Sequence, residues 1–139
     1  MSFSIKAYEH VGIRVTNREA AVKFYEKLGW KEETDLPEHT ANEMVNDAGV
    51  YINLIFNGVK REGNKNILID EPIKHPGCTH PAFIVDDLDD MMDMLEREKI
   101  NISEGPVIYN DRRRVIFIRD PDGNAVSYTH LTLPTILLV

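Results

Sequence analysis

A chain of 139 residues with 42% hydrophobic content has the size and apolar stock of one folded domain with its own core. Its net charge of -7 argues against general nucleic-acid affinity, which calls for a basic face, and Arg112-Arg113-Arg114 is only a local exception. No stretch reaches the ~20 consecutive apolar residues of a membrane helix, the N-terminus carries no secretory pattern, and the single cysteine, Cys78, excludes an internal disulfide or a thiolate metal site. A cytoplasmic protein is therefore expected, with neither nucleic acid nor membrane as partner.

Residues 8–15 are rich in β-branched types and alternate, which predicts a strand with His10, Gly12 and Arg14 on one face and Val11, Ile13 and Val15 on the face to be buried. Asn17 suits a helix N-cap, because its short side-chain carbonyl can accept from a free backbone donor of the first turn. Ala21, Phe24, Tyr25 and Leu28 then fall at the i, i+3, i+4, i+7 spacing of one helical face, predicting a helix over 17–28 that Gly29 ends in the left-handed conformation. Strands are predicted at 30–34, 41–46 and 50–57, with Asp47-Ala48-Gly49 turning between the last two. From 58 to 77 the period disappears among Lys, Glu, Asn, Gly and Pro, which reads as a connector with at most a short strand at 67–69.

The pattern then begins again. Thr79-His80-Pro81-Ala82-Phe83-Ile84-Val85 matches Glu9-His10-Val11-Gly12-Ile13-Arg14-Val15 position for position, and Asp87 stands in the place of Asn17. Leu88, Met91, Met92 and Leu95 repeat the helical spacing over 87–98, and Ile100 falls where Trp30 was. Strands are predicted around 101–103, 107–109, 113–119 and 125–128. Order, spacing and caps recurring together imply an α+β protein of two tandem βαβββ units: repeat one at 6–57, a connector at 58–77 and repeat two at 78–130, within one domain at 1–130. The acidic run 86–90 lacks the Gly and terminal Glu of a calcium loop and reads as a helix N-terminus, where carboxylates favour the positive end of the macrodipole.

Residues 115–127 give the repeat a family. Val115-Ile116-Phe117-Ile118-Arg119 enters Asp120-Pro121-Asp122-Gly123-Asn124, in which Pro presets one turn dihedral and Gly supplies a positive one, and Ala125-Val126-Ser127 returns. This strand, turn and strand resemble the closing hairpin of the vicinal oxygen chelate superfamily of glyoxalases, bleomycin- and fosfomycin-resistance proteins and extradiol dioxygenases. The resemblance spans His10 to about Ser127. It implies a cup-shaped mixed sheet with helices on the convex side, His10 and His80 at metal-ligand positions, and a third ligand at 127, where metal-using members carry Glu and this chain has Ser127. It also implies a divalent ion (Zn, Ni, Mn or Fe), a small-molecule substrate and a homodimer.

Two histidines and one carboxylate would form a facial triad whose open positions suit chelation of two neighbouring substrate oxygens. Asn53 aligns with the remaining family ligand position, where it is at best a weak neutral ligand or a hydrogen-bonding group for substrate. Tyr51, Arg14 and Arg119 are further candidates for substrate contact, although a solvated arginine at a sheet edge is an equal reading of each Arg.

Two departures stand out. Lys99 occupies the place of Gly29, which suggests a different loop after the second helix, and the run 127–139 resembles a translated sequencing-adapter tail, so the native protein is expected to end differently. His130 falls on the opposite face from position 127 and is not expected to replace the carboxylate. The leading expectation is a metal-dependent lyase, isomerase or dioxygenase that is weak or inactive with Ser127. The alternative is a metal-free protein that sequesters a small molecule.

Overall fold

The computed structural model describes residues 2–131, which divide at Lys60 into two compact units. The apolar residues 132–139 at the end of the predicted tail lie outside the described residues. In the first unit β1 (His10–Arg14), α1 (Arg18–Lys27), β2 (Lys31–Leu36), β3 (Ala41–Val45) and β4 (Tyr51–Ile55) form one sheet in the order β1-β4-β3-β2. In the second, β5 (Ala82–Ile84), α2 (Leu88–Arg97), β6 (Ile102–Tyr109), β7 (Arg113–Arg119) and β8 (Ala125–Leu131) repeat the plan in the order β5-β8-β7-β6. Each unit is a three-strand antiparallel meander to which the first strand adds in parallel across a helix, the βαβββ arrangement the repeat predicts.

The same local chemistry builds both helices. The Asn17 side chain accepts from Ala20 N at 2.9 Å, and the Asp87 carboxylate accepts from Asp90 N at 3.0 Å. Each cap is worth about 1 kcal/mol relative to alanine. At the other ends, Gly29 N donates to Glu26 O at 3.0 Å and Lys99 N to Glu96 O at 3.1 Å; Trp30 N and Ile100 N reach back to Tyr25 O and Leu95 O. The different loop expected at Lys99 is not there: Lys99 takes a positive φ of 59° and closes α2 as Gly29 closes α1, because the closing hydrogen bonds and burial of Leu95 hold an L-residue in a conformation it disfavours.

One face of each helix is buried. Tyr25 is fully enclosed, with Phe24 and Trp30 packed edge-on at 5.1 and 6.1 Å between ring centroids, above Ile13, Val15, Ile52 and Leu54. Leu88 and Leu95 are buried in the second unit together with Ile116, Ile118 and Val126. The fully buried Asn42 joins four elements: its Nδ2 donates to Glu32 Oε2 at 2.7 Å, its Oδ1 accepts from Leu54 N at 3.0 Å, and Glu32 in turn receives Arg18 of α1. Arg18 also lies 4.5 Å over the Phe56 ring.

Three predicted strands change. The segments at 101–103 and 107–109 are one strand, β6, with register shifts around Glu104, because β6 is a sheet edge where the donor missing from Pro106 leaves no ladder bond unmade. No strand forms at 67–69: Asn66 Oδ1 accepts from both Leu68 N and Ile69 N, and its carbonyl from Asp70 N, winding the segment into a turn. The connector instead holds a short 3-10 turn at Glu62–Asn64.

The β7–β8 turn is fixed by Asp120, which is 5% exposed. Its Oδ1 accepts from Asp122 N and Asn124 N, its Oδ2 from Asn124 Nδ2, all at 2.9 Å. Gly123 sits at φ 83° with Asn64 O where a Cβ would lie, so the connector backbone occupies the space a side chain would need.

Candidate functional site

In the first unit the parallel register pairs His10 with Tyr51 and Gly12 with Asn53, and parallel partners share a face. His10, Arg14, Tyr51 and Asn53 therefore lie together on the face opposite the buried Ile13 and Val15, as alternation predicts. His10 Nδ1 is 2.6 Å from Glu9 Oε1, and Arg14 Nε donates to Asn57 Oδ1 at 2.9 Å. The Tyr51 phenol is raised above its usual value by its hydrogen bond to Glu33, with Glu43 and Glu9 adding to the effect. Asn53 Oδ1 is buried and has no hydrogen-bond partner among the described residues.

In the second unit His80 precedes β5. Its ring stands edge-on to Phe117 at 4.8 Å, and its Nδ1 is 2.8 Å from Thr79 Oγ1, which leaves Nε2 for another partner. Ser127 lies opposite Ala82 and Phe117 in the register, two strand positions on from His80 and on the same sheet face. Position 127, for which the resemblance implies a ligand, holds Ser127, which is 2% exposed and neutral.

Arg119 does not stand free. Its two terminal nitrogens each donate to Asp70 at 3.0 Å, and NH1 also donates to Gly123 O at 3.1 Å. This pairing, with the Asn66 N–H bond to the same carboxylate, lowers Asp70 to about 2. Asn66 Nδ2 also donates to Gly123 O, so the turn at 66–70 is tied to the closing hairpin. A cavity of about 470 Å³ opens there, lined by Leu68, Ile69 and Lys74 of the connector and by His80, Phe117 and Arg119.

His130 points to the other face of β8, where its Nδ1 accepts from Leu88 N at 3.1 Å and caps α2. Sequence reasoning missed Leu68, Ile69, Lys74 and Phe117. Phe117 was legible as the residue alternating with Arg119; the connector residues had no period to betray them.

The family model of the Glyoxalase/Bleomycin resistance protein/Dioxygenase superfamily matches residues 7–128. The chain belongs to this superfamily. Among solved structures of the fold, a glyoxalase/dioxygenase from Nostoc punctiforme is 20% identical with a TM-score of 0.70, over 96% of this chain and 100% of that one. A protein from the mobile metagenome of V. pseudocholerae is 26% identical with a TM-score of 0.69, over 96% and 100% of the two chains. TnmS3, an antibiotic binding protein from Streptomyces sp. CB03234, is 21% identical with a TM-score of 0.69, over 94% and 99%.

The divalent ion implied for superfamily members can be tested against the donors present. The described residues contain no group of three or more His, Cys, Asp or Glu able to hold an ion. The first sheet offers His10 beside neutral Asn53, and the second offers His80 beside neutral Ser127, so the candidate positions supply no anionic donor to balance a divalent charge. The residues present do not fit the ion. No helix of the described residues is long and apolar enough to cross a membrane.

Proposed function

We propose that this superfamily member binds a small oxygenated molecule on the His80 face of the second sheet, without a resident divalent ion, as a sequestering protein of the bleomycin-resistance type. The observation that carries the reading is the cavity of about 470 Å³, in which apolar walls meet a few polar groups, His80 Nε2 foremost. That mixture is what small-molecule sites use: apolar area for affinity and sparse hydrogen bonds for orientation. TnmS3, an antibiotic binding protein of the same fold, supports the reading by analogy. His10, Arg14, Tyr51 and Asn53 form a second candidate ligand surface on the first sheet, and Arg119 acts mainly by holding the wall of the cavity. Amide chemical shifts followed by NMR, while oxygenated aromatic compounds are added with and without a chelator, test this. Saturable shifts centred on His80 and Phe117, unchanged by chelator, are expected; binding that chelator abolishes would overturn the proposal.

A second reading, a metal-dependent lyase or isomerase whose natural form carries Glu at 127, is favoured by the register that sets position 127 on the face of His80. Ser127→Glu is then expected to raise affinity for Ni(II), Mn(II) or Zn(II) by at least ~10-fold, with His80→Ala abolishing the gain. Calorimetric titration giving equal affinities for all three proteins would discard it. A homodimer is proposed as well, since exposed strand edges invite a partner, and light scattering showing only monomer at micromolar concentration would refute it.

A further inference from the structure

We infer that Lys74 reads an anionic group, so that the second-sheet cavity prefers flat apolar molecules bearing a carboxylate; this rests on the binding reading above. Three cavity residues carry formal charge at neutral pH: Lys74, Arg119 and Glu104. Arg119 is bonded to Asp70 through both terminal nitrogens and also feels the charge of Glu104, so its charge is already answered by carboxylates. Lys74 differs. Its Nζ donates to the carbonyl oxygens of Ile69 at 2.5 Å and Glu71 at 2.6 Å, and no carboxylate is among its hydrogen-bond partners.

An ammonium has three donors, and two neutral carbonyls use two of them. They fix the nitrogen in place and leave one N–H to an incoming acceptor, while its charge reaches a carboxylate only through space, at Asp70, to which it makes no hydrogen bond. A charged acceptor gains more there than a neutral one, because the attraction between opposite charges adds to a hydrogen bond that either acceptor can make. The shape preference comes from the apolar residues that line the same cavity. Leu68 and Ile69 present apolar side chains beside Lys74, and Phe117, held edge-on by His80 at 4.8 Å, presents a ring against which a planar molecule packs. The wall itself is held by the Asn66 turn and the Asp70–Arg119 pair, so the ammonium needs no reorganisation to meet its ligand.

The test uses two isosteric probes, 2-naphthoate and 2-naphthamide, titrated into the full chain at neutral pH and low salt, with amide shifts as readout. The acid is expected to bind about tenfold more tightly than the amide, the margin that pairing two opposite charges adds to the hydrogen bond. Lys74→Met should level the two affinities by weakening the acid far more than the amide, and Phe117→Ala should weaken both. Equal affinities in the parent chain, or a preference for the acid that survives Lys74→Met, would overturn the role of Lys74 and leave the cavity reading standing. Probes that fail to saturate, or that are indifferent to Phe117→Ala, would overturn the cavity reading and this inference with it.

Discussion

Lys99→Gly is expected to stabilise the protein, and Gly29→Ala to destabilise it by a larger amount. Both positions end a helix with the same hydrogen bonds, Gly29 at φ 102° and Lys99 at φ 59°. An L-residue in the left-handed region costs roughly 1–2 kcal/mol, whereas glycine there costs little. Against that relief stands the greater freedom glycine gives the unfolded chain, about 0.4–1 kcal/mol. Because 59° lies almost at the left-handed minimum, Lys99 suffers the low end of the strain, and the net gain from Lys99→Gly is about 0.5 kcal/mol. Position 29 lies well beyond that minimum and a Cβ there would meet nothing within 4 Å, so Gly29→Ala meets the high end of the strain, and less the same unfolded-chain contribution it should cost about 1 kcal/mol or more. Urea unfolding followed by far-ultraviolet circular dichroism measures both, with the fluorescence of Trp30, the sole tryptophan, reporting the first unit separately. A destabilised Lys99→Gly, or a Gly29→Ala as stable as the parent, would refute the strain argument.

Three further outcomes follow from the second unit. Asp70, lowered to about 2 by Arg119, contributes stability that is fully present above its unfolded value near 3.8 and is lost as pH falls through about 2; Asp70→Asn should cost about 1 kcal/mol at neutral pH, discounted for partial exposure, and flatten the pH dependence of thermal melting between these limits. Gly123→Ala would drive a methyl group into Asn64 O and should cost at least ~2 kcal/mol, with faster tryptic cleavage at Arg61 or Lys65 as the connector is displaced. Tyr128 is 3% exposed, its hydroxyl has no partner among the described residues, and burial raises its ionisation above the usual range. Tyr128→Phe should therefore be neutral or stabilising by up to about 1 kcal/mol in a thermal melt, and a clear loss of stability would show that the hydroxyl has a partner.

What could be read from sequence was set by short-range periodicity. The i, i+3, i+4, i+7 rows of Phe24, Tyr25 and Leu95, the caps Asn17 and Asp87, and the Asp120 turn each encode their conformation within a few residues, and the repeat doubled the signal. His10 and His80 could be assigned a sheet face because strand alternation is local too. The connector could not be read this way. Its turn depends on Asn66 side-chain bonds, and its position on a pairing between Asp70 and Arg119 that is 49 residues long. Lys74 and Leu68 therefore entered the candidate site only once that tie was seen. Lys99 misled for the opposite reason: propensity disfavours it, but the buried Leu95 and Ile100 N–H outweigh the propensity.

In both units the strand that brings in the histidine is joined to its sheet along one edge only: β1 to β4, and the three-residue β5 to β8. The meander beside it is built of near-neighbour pairings and can stay intact when that strand detaches. Local opening of β5 would therefore remove His80 from the ligand face while Phe117 and Arg119 remain, giving a minor population with an incomplete site. Amides of Ala82–Ile84 should exchange with solvent ahead of those at the centre of β7, and a ligand that contacts His80 should slow the first set more than the second. The affinity of the site would then include the free energy of keeping one short strand docked, and substitutions in β5 far from any ligand atom would tune binding through that equilibrium.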